Sequence, residues 1–394
     1  MGKGNKIEAL VLAAGYSSRA PGFKPLLPLG DSTMIEAVIN VFYAACIDDI
    51  VVVTGHHAVE LAPTLDRLRV RHVQNDRYQE GMFSSVVAGV KSLRPGTDAF
   101  FLLPADMPLV RCHTIKTLRK AFSHAAADVI YPVFQQRRGH PPLISTRCCP
   151  AILAWDRPEG LRSLLERYEP AARNVEVIDE GILIDVDTAE DYRRVVDRFV
   201  LRELPQRREC DAILAVANVP ERVVRHCRMV SETGRVLAEA LNRMGLHLDV
   251  ELIIAGGMLH DLAKGRPHHA STGARMLLNM GFPGVASITA VHHTIEFEEG
   301  QLLDEAAILF LADKLVLGDR IVSLDDRFRE CLEKYRCDAV VLHEVEQRLK
   351  RARIIKKSVE QVTEKRLEEL VSGIGRESSL TTDTEVVQGR ETIQ

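Results

Sequence analysis

The sequence predicts two folds in one chain: an α/β domain with a mostly parallel sheet, followed by an all-α domain. Three observations carry this. Short apolar runs alternate with helical patterns through the first half. That rhythm stops at a charged, proline-bearing stretch near Phe199–Asp211. Beyond it the apolar spacing follows a helical period, and eight of the fourteen histidines lie there. At about 100–200 residues per domain, 394 residues accommodate two or three domains.

The expected strands are Ile7–Leu12, Ile50–Thr54, Val70–Val73, Ala99–Leu103, Val129–Val133 and Ile182–Val186, each an apolar run of strand length. Met34–Cys46 and Ser84–Leu93 read as helices between them. The front domain is expected over 1–200, with a linker over 201–212. A helical domain over 213–371 follows. Its first helices are Ile213–Met244 and Val250–Leu262, and Pro220 suits a first helical turn. Residues 372–394 are rich in Ser, Thr, Gly and charge without a period, the composition of a disordered tail.

The 51 basic and 55 acidic residues leave a formal net charge of −4, so bulk charge does not argue for a nucleic-acid or membrane partner. Aromatics make up 5% with one tryptophan, which supplies no platform for stacking single strands. No apolar stretch reaches the ~20 residues of a membrane span. The start runs straight into a short strand rather than a signal peptide. Eight cysteines without a CxxC pair read as reduced thiols. The expectation is a cytoplasmic enzyme with no nucleic-acid and no membrane partner.

Leu12-Ala13-Ala14-Gly15-Tyr16-Ser17-Ser18-Arg19 follows the first strand directly, and Lys24 comes shortly after. Small residues let the backbone approach a phosphate chain and donate N–H groups to it. Arg19 and Lys24 can neutralise phosphate oxygens, which phosphoryl or nucleotidyl transfer requires as charge builds there. Asp106 ends the apolar strand at Ala105, where a carboxylate can bridge magnesium to substrate phosphates; a turn or capping aspartate would look the same. Asp185 and Asp187, two apart on one face of the last expected strand, offer a second carboxylate. Asp187-Thr188-Ala189-Glu190 also reads as a helix cap.

The stretch from Leu12 to Gly30 resembles the signature of the MobA-like nucleotidyltransferases, in particular their molybdenum cofactor cytidylyltransferase branch. Asn75 to Ser85 is similar to that family's segment lining the nucleotide site, Gly139-His140-Pro141 to its element near the acceptor, and Asp185 to Asp191 to its acidic ending. The likeness covers about residues 6–198. Pro21 stands where the family usually has glycine, and Ala105 where it often has glycine before the aspartate. The resemblance implies a Rossmann-like nucleotidyltransferase fold with Mg2+ at Asp106. Leu12, Ala13, Ala14, Gly15, Ser17, Arg19, Lys24, Gly81, Ser84 and Ser85 would hold the nucleotide, with CTP favoured. Gly139, His140 and Pro141 would face a molybdopterin-type acceptor, on which a molybdoenzyme partner would draw. A phosphorylated alcohol or sugar is the alternative acceptor.

In the rear half, His260-Asp261 ends an apolar helix, where one imidazole and one carboxylate can turn to one cation. His226 precedes them in an earlier helix. His268 and His269 open the next helix, and His292-His293 follow another. Asp313 sits among Leu309, Phe310, Leu311, Ala312 and Leu315; a buried carboxylate is costly unless paired or metal-bound, and Lys314 is the obvious alternative partner. This order resembles the HD superfamily of metal-dependent phosphohydrolases, over about residues 213–335. On that likeness His226, His260, Asp261 and Asp313 form the basic site. His269, with one or both of His292 and His293, would extend it to a second ion, and Asp261 would bridge. One or two divalent transition-metal ions, iron or manganese favoured, are implied. Lys264, a turn beyond, would bind substrate phosphate or serve as a solvated helix-end cation. The alternative to hydrolysis is a non-catalytic ligand sensor.

Overall fold

The computed structural model describes residues 5–16, 22–123, 127–157 and 159–374. The chain divides into two compact units, Met1–Glu203 and Leu204–Gln394.

The first unit opens on β1 (Ile7–Ala13), buried along its whole length. A small hairpin, β2 (Pro28–Leu29) and β3 (Ser32–Thr33), leads into α1 (Met34–Ala44). Then come β4 (Ile50–Thr54), α2 (Ala58–Arg67), β5 (Arg71–Gln74), α3 (Met82–Lys91), β6 (Ala99–Pro104) and α4 (Cys112–Ser123). The rest is β7 (Val129–Phe134), β8 (Arg137–Arg138), β9 (Leu143–Ser145), α5 (Cys149–Leu153), α6 (Gly160–Glu166), β10 (Ala172–Glu176) and α7 (Ala189–Val200).

One sheet runs β10-β7-β9-β6-β1-β4-β5, with β8 beside β7. The four strands β6, β1, β4 and β5 are parallel, and β9 runs antiparallel between β6 and β7. The strands are apolar on both faces because helices cover both. Ala9 and Val11 of β1 pack toward α1, α2 and α4, whereas Leu10 and Leu12 pack toward α3, α5 and α6. Each such buried aliphatic side chain is worth roughly 1.5–3 kcal/mol. Parallel pairing gathers the carboxyl ends of β6, β1, β4 and β5 on one edge, where ligands of such sheets sit.

Ile182–Val186 does not form the expected strand. Asp179 is buried, and its Oδ1 accepts from the Gly181 N–H at 3.0 Å, winding Glu180–Leu183 into a short 3-10 turn. Its Oδ2 accepts from the Arg111 N–H and the Thr114 hydroxyl at 2.8 and 2.6 Å, tying that turn to the loop before α4. The edge strand is β10 instead.

The second unit contains α8 (Arg207–Val216), α9 (Glu221–Arg243), α10 (Val250–Leu259), α11 (His269–Asn279), α12 (Pro283–Ala290) and α13 (Glu305–Lys314). A two-stranded hairpin, β11 (Val316–Leu317) and β12 (Arg320–Ile321), precedes α14 (Leu324–Lys334), α15 (Ala339–Thr363) and α16 (Leu367–Val371). That hairpin is the only strand pairing among the described residues of this unit. Three boundaries differ from expectation. The expected linker 201–212 contains the start of α8, where Gln206 and Glu209 form a capping box. Ile213–Met244 is two helices, because Asn218 is left-handed and Pro220 caps α9. The helix expected to Leu262 stops at Leu259. Of the expected tail, residues 375–394 lie outside the described residues.

A core of α9, α13 and α15 side chains, including Leu237, Leu241, Phe310, Ala352 and Ile355, holds the bundle together. A Cβ on Gly257 would stand 2.4 Å from Ser231 Cα, so glycine permits α10 to lie against α9. That contact brings the end of α10 beside the middle of α9. No helix of the described residues is long and apolar enough to cross a membrane.

Candidate functional site

At the carboxyl edge of the first unit's sheet lies a cleft of about 700 Å³. Leu12, Ala13, Ala14 and Gly15 border it at the end of β1, and Gly81 and Ser85 at the start of α3. Lys24, in a short 3-10 turn, reaches in from the hairpin side. Its ammonium lies 3.3 Å from Asp106 Oδ2 and 2.9 Å from Asp187 Oδ1. Burial works against that charge, but the hydrogen bond to Asp187 and the two carboxylates win, so the Lys24 pKa is raised. Burial is also the main influence on Asp106, and it raises that carboxyl above its ordinary value despite Lys24. Asp185 lines the same cleft, and the Val186 N–H donates to the Asp106 carbonyl at 3.0 Å. Asp106, Asp185 and Asp187 therefore share one cleft, although the last two sit on an irregular segment rather than a strand. Thr188 is the cap of α7, in a reciprocal pair with Asp191 rather than Glu190.

On the other side, Gly139 and His140 line the cleft. A Cβ on Gly139 would lie 2.3 Å from the Ile182 carbonyl oxygen, so glycine is required for this packing. The His140 N–H donates to that oxygen at 2.9 Å. Its ring Nδ1 is buried without a partner, and burial lowers the imidazole pKa. Pro141 is buried and is not among the residues lining the cleft. Ser84, expected at the nucleotide, instead secures the loop: its hydroxyl donates toward the Arg77 and Gly81 carbonyls at 2.8 Å. Ser17 and Arg19 lie outside the described residues.

In the second unit, His226 (α9), His260 and Asp261 (just past α10), His269 (α11), His292 (just past α12) and Asp313 (α13) meet. His226 Nε2 is 3.1 Å from Asp313 Oδ1 and 3.9 Å from Asp261 Oδ2. His260 Nε2 is 3.6 Å from an oxygen of each aspartate. His269 and His292 approach the other Asp261 oxygen at 3.5 and 3.6 Å. Two three-ligand clusters result: His226, His260 and Asp261, and Asp261, His269 and His292.

The imidazoles are prepared for a cation. Nδ1 of His226, His260 and His292 each faces a backbone carbonyl, of Gly318, Gly257 and Thr289, at 2.9, 2.8 and 2.7 Å. A carbonyl can only accept, so Nδ1 carries a proton on each ring and Nε2 is the nitrogen turned toward the aspartates. His260 Nε2 and Asp261 Oδ1 are buried without a hydrogen-bond partner, and Asp261 Oδ2 has the Lys264 ammonium 2.8 Å away. Nitrogens and carboxylate oxygens gathered this closely need positive charge among them, which protonated rings or a bound cation can supply. Ligand atoms around one transition metal, each ~2.1 Å from it, stand ~3 Å or more apart, so the spacing fits. Burial opposes both aspartate charges, yet His260 beside Asp261 and Lys314 beside Asp313 hold the two carboxyls well below the usual range.

The neighbouring residues divide as follows. His293 is exposed and its Nε2 lies 3.3 Å from the Arg348 guanidinium, so His292 alone of the pair faces the aspartates. The Lys264 ammonium sits 2.8 Å from Asp261 Oδ2, at the edge of the ligand set. His268 caps α11 in a left-handed conformation, outside both clusters. Asp313 satisfies both of its readings at once. Its Oδ2 pairs with buried Lys314 at 2.5 Å, and its Oδ1 faces the imidazoles.

A family model described as MobA-like NTP transferase domain matches residues 9–172, and the HD domain model matches residues 223–317. The chain joins a MobA-like NTP transferase domain to an HD domain. The molybdenum cofactor cytidylyltransferase of Escherichia coli (strain K12) is 28% identical over 197 residues, covering 49% of this chain and 97% of that protein. An uncharacterized protein of Methanocaldococcus jannaschii is 36% identical over 123 residues, 27% of this chain and 73% of its own. The solved structure of a nucleotidyl transferase from Methanothermobacter thermautotroptrophicus is 28% identical with a TM-score of 0.45, covering 50% of this chain and 99% of its own.

The transferase cleft also depends on residues that its motifs did not single out. Asn75 Nδ2 donates to the hydroxyls of Ser84 and Ser85 at 2.8 and 3.0 Å, fixing the start of α3. Asp179 anchors the turn leading to Asp185 and Asp187 from a distance in sequence. In the HD domain, Lys314 Nζ also donates to the His292 carbonyl at 3.1 Å, linking two ligand-bearing segments. A lysine set beside Asp313 in an otherwise apolar run from Leu309 to Leu317 is the sequence signal that points to it.

Proposed function

We propose that the transferase domain moves a nucleotidyl group, CMP from CTP, onto a phosphorylated acceptor of the molybdopterin type. In this reading an acceptor phosphate oxygen attacks the α-phosphorus, a new phosphoanhydride forms, and the bond to pyrophosphate breaks. The observation that carries it is the placement of Lys24 between Asp106 and Asp187 at the mouth of the Ala13–Gly15 backbone. Gly15 and its neighbours can follow the triphosphate closely, and Lys24 neutralises it as a point charge. Asp106, with Asp185 and Asp187, would hold Mg2+, which when bound supplies charge neutralisation on the phosphate oxygens. His140, neutral in its buried place, orients the acceptor from the opposite wall. The cytidylyl preference rests on the Escherichia coli relative's name and on the Ala-Ala-Gly loop.

For the HD domain the reading is hydrolysis of a phosphate ester or nucleotide. His226, His260, Asp261, His269, His292 and Asp313 would hold one or two transition-metal ions, iron or manganese, which when bound activate water and clamp a phosphate. The chain's own part is to keep the imidazoles in one tautomer and Asp261 between the clusters.

The test is pyrophosphate release from CTP and from GTP with molybdenum cofactor as acceptor, comparing wild type with Lys24→Ala. Release that requires CTP, acceptor and Lys24 supports the reading. Equal inertness of both proteins with every nucleotide and acceptor sinks it. A screen of phosphoesters on the metal-loaded protein tests the HD half, and bound metal without turnover favours the sensor.

A further inference from the structure

We infer that the nucleotide's base is held by its flat face, on an aromatic rim formed by Tyr16 and Tyr78 and buttressed by His56. The inference rests on the transferase reading above and adds how the base is recognised. Tyr16 follows Gly15 at the end of β1, His56 follows β4, and Tyr78 follows β5. Their rings form a triangle: Tyr16 to His56 4.9 Å, Tyr16 to Tyr78 5.5 Å and His56 to Tyr78 5.6 Å between centroids. These are the separations at which aromatic rings attract. His56 Nδ1 lies 3.3 Å from the Tyr78 hydroxyl, which fixes the two together. The array continues through His57, 4.5 Å from His56, to Phe23, 4.4 Å further, beside Lys24.

Both tyrosines line the cleft. Tyr16 keeps 49% of its surface exposed, and Met82, on the same rim, keeps 66%. Large apolar groups left open beside a charged phosphate site are out of place unless something planar or apolar covers them. The strand order says which part of the substrate that is. The rings rise from β1, β4 and β5, Asp106 follows β6, and Gly139 and His140 follow β8 on the far side. A triphosphate along Ala13–Gly15 with its α-phosphorus near Asp106 directs its base toward the rings and away from the acceptor wall. Every nucleobase has a π face, so this contact adds affinity without reading donor and acceptor groups. It therefore binds pyrimidine and purine triphosphates alike, and discrimination between them has to arise elsewhere.

Calorimetric titration of the full chain with CTP, GTP and inorganic tripolyphosphate, each with magnesium, tests this. For Tyr16→Ala and Tyr78→Ala, affinity for CTP and GTP falls by similar factors, about 5- to 150-fold. Tripolyphosphate affinity stays at the wild-type value, and Tyr16→Phe and Tyr78→Phe bind nucleotides as wild type does. Unchanged nucleotide binding by both alanine variants overturns the stacking while leaving the transferase reading intact. Parallel loss of tripolyphosphate also overturns it, since the rings then only shape the phosphate loop. Failure of the wild type to bind any nucleotide or tripolyphosphate removes the transferase reading, and the stacking with it.

Discussion

Lys24 is the residue on which the front site turns. Its ammonium pairs with both Asp106 and Asp187, so one substitution removes the cation between two carboxylates. Lys24→Ala is expected to lower kcat about 100- to 1000-fold, the usual cost of removing one charge-stabilising group at a transferring centre. Steady-state pyrophosphate release at saturating nucleotide measures it; a loss confined to KM would assign Lys24 to binding alone. Much of this site was legible in the sequence, because a glycine loop after an apolar strand and an aspartate at the end of another leave few chemical readings. What escaped is telling. Ser84 and Ser85 are adjacent and identical in type, yet only Ser85 lines the cleft, since helix geometry turns neighbours to different sides. His292 and His293, just past the end of α12, also part, one facing the aspartates and the other Arg348. The partners of Nδ1 on His226, His260 and His292 are backbone carbonyls, which no side-chain pattern announces.

At the scale of elements, the predominantly apolar strands β1, β4, β6 and β7 begin at the residues that hydropathy predicts, because burial on both faces favours apolar side chains there. Ile182–Val186 shows where that logic fails. Its apolar run is that of a strand, but Asp179, a side chain outside the run, captures the Gly181 N–H and winds the backbone first. β9 is too short to stand out from its surroundings, and β10, Ala-Arg-Asn-Val-Glu, is too polar to read as a buried strand. Helix α1 illustrates a legible cap with a measurable consequence. Burial disfavours the Glu36 charge, but hydrogen bonds from Thr33 and the Arg67 ion pair win and hold its pKa below the ordinary 4.5. A carboxyl depressed in the folded state stabilises fully above its unfolded pKa and loses that contribution as pH falls through the folded one. Glu36→Ala is thus expected to cost about 1 kcal/mol at pH 7, a shift of about 2–4 °C in the unit's thermal midpoint. The difference from wild type narrows below about pH 4; a gap that persists undiminished at pH 3 would mean that lost packing, not charge, is responsible. The Gly139 loop makes a second element-scale prediction. A methyl there meets the Ile182 carbonyl oxygen, which is backbone and cannot swing aside. Gly139→Ala is expected to cost about 1–3 kcal/mol and to raise KM for the acceptor more than for the nucleotide. Initial rates with each substrate varied in turn give the comparison, and equal rises would detach this loop from acceptor binding.

At the scale of the whole chain, two chemistries occupy two compact units, each with its own hydrophobic core and its own set of site residues. The transferase cleft is lined only by residues of the first unit, and both histidine–aspartate clusters draw only on the second. Effects at sites that share no partner combine additively, whereas coupled sites do not. Asp261 is the residue common to both metal clusters, so Asp261→Asn withdraws a ligand from each at once while keeping the side chain's shape. Bound transition metal, measured on the purified full chain, is expected to fall to background, and phosphoester hydrolysis with it. Nucleotidyl transfer is expected to keep its kcat and its KM for CTP within about twofold, a change of about 0.4 kcal/mol. Lys24→Ala gives the mirror image, with metal content unchanged and transfer lost. A transferase rate or nucleotide KM that moves severalfold in Asp261→Asn would show that the rear site biases the front one. Coupling that shows in the equilibrium affinity for CTP, unlike a change of rate, is a free energy shared between sites and runs both ways. CTP would then alter metal affinity in the wild type by the same factor, which separates a regulatory HD domain from an independent hydrolase.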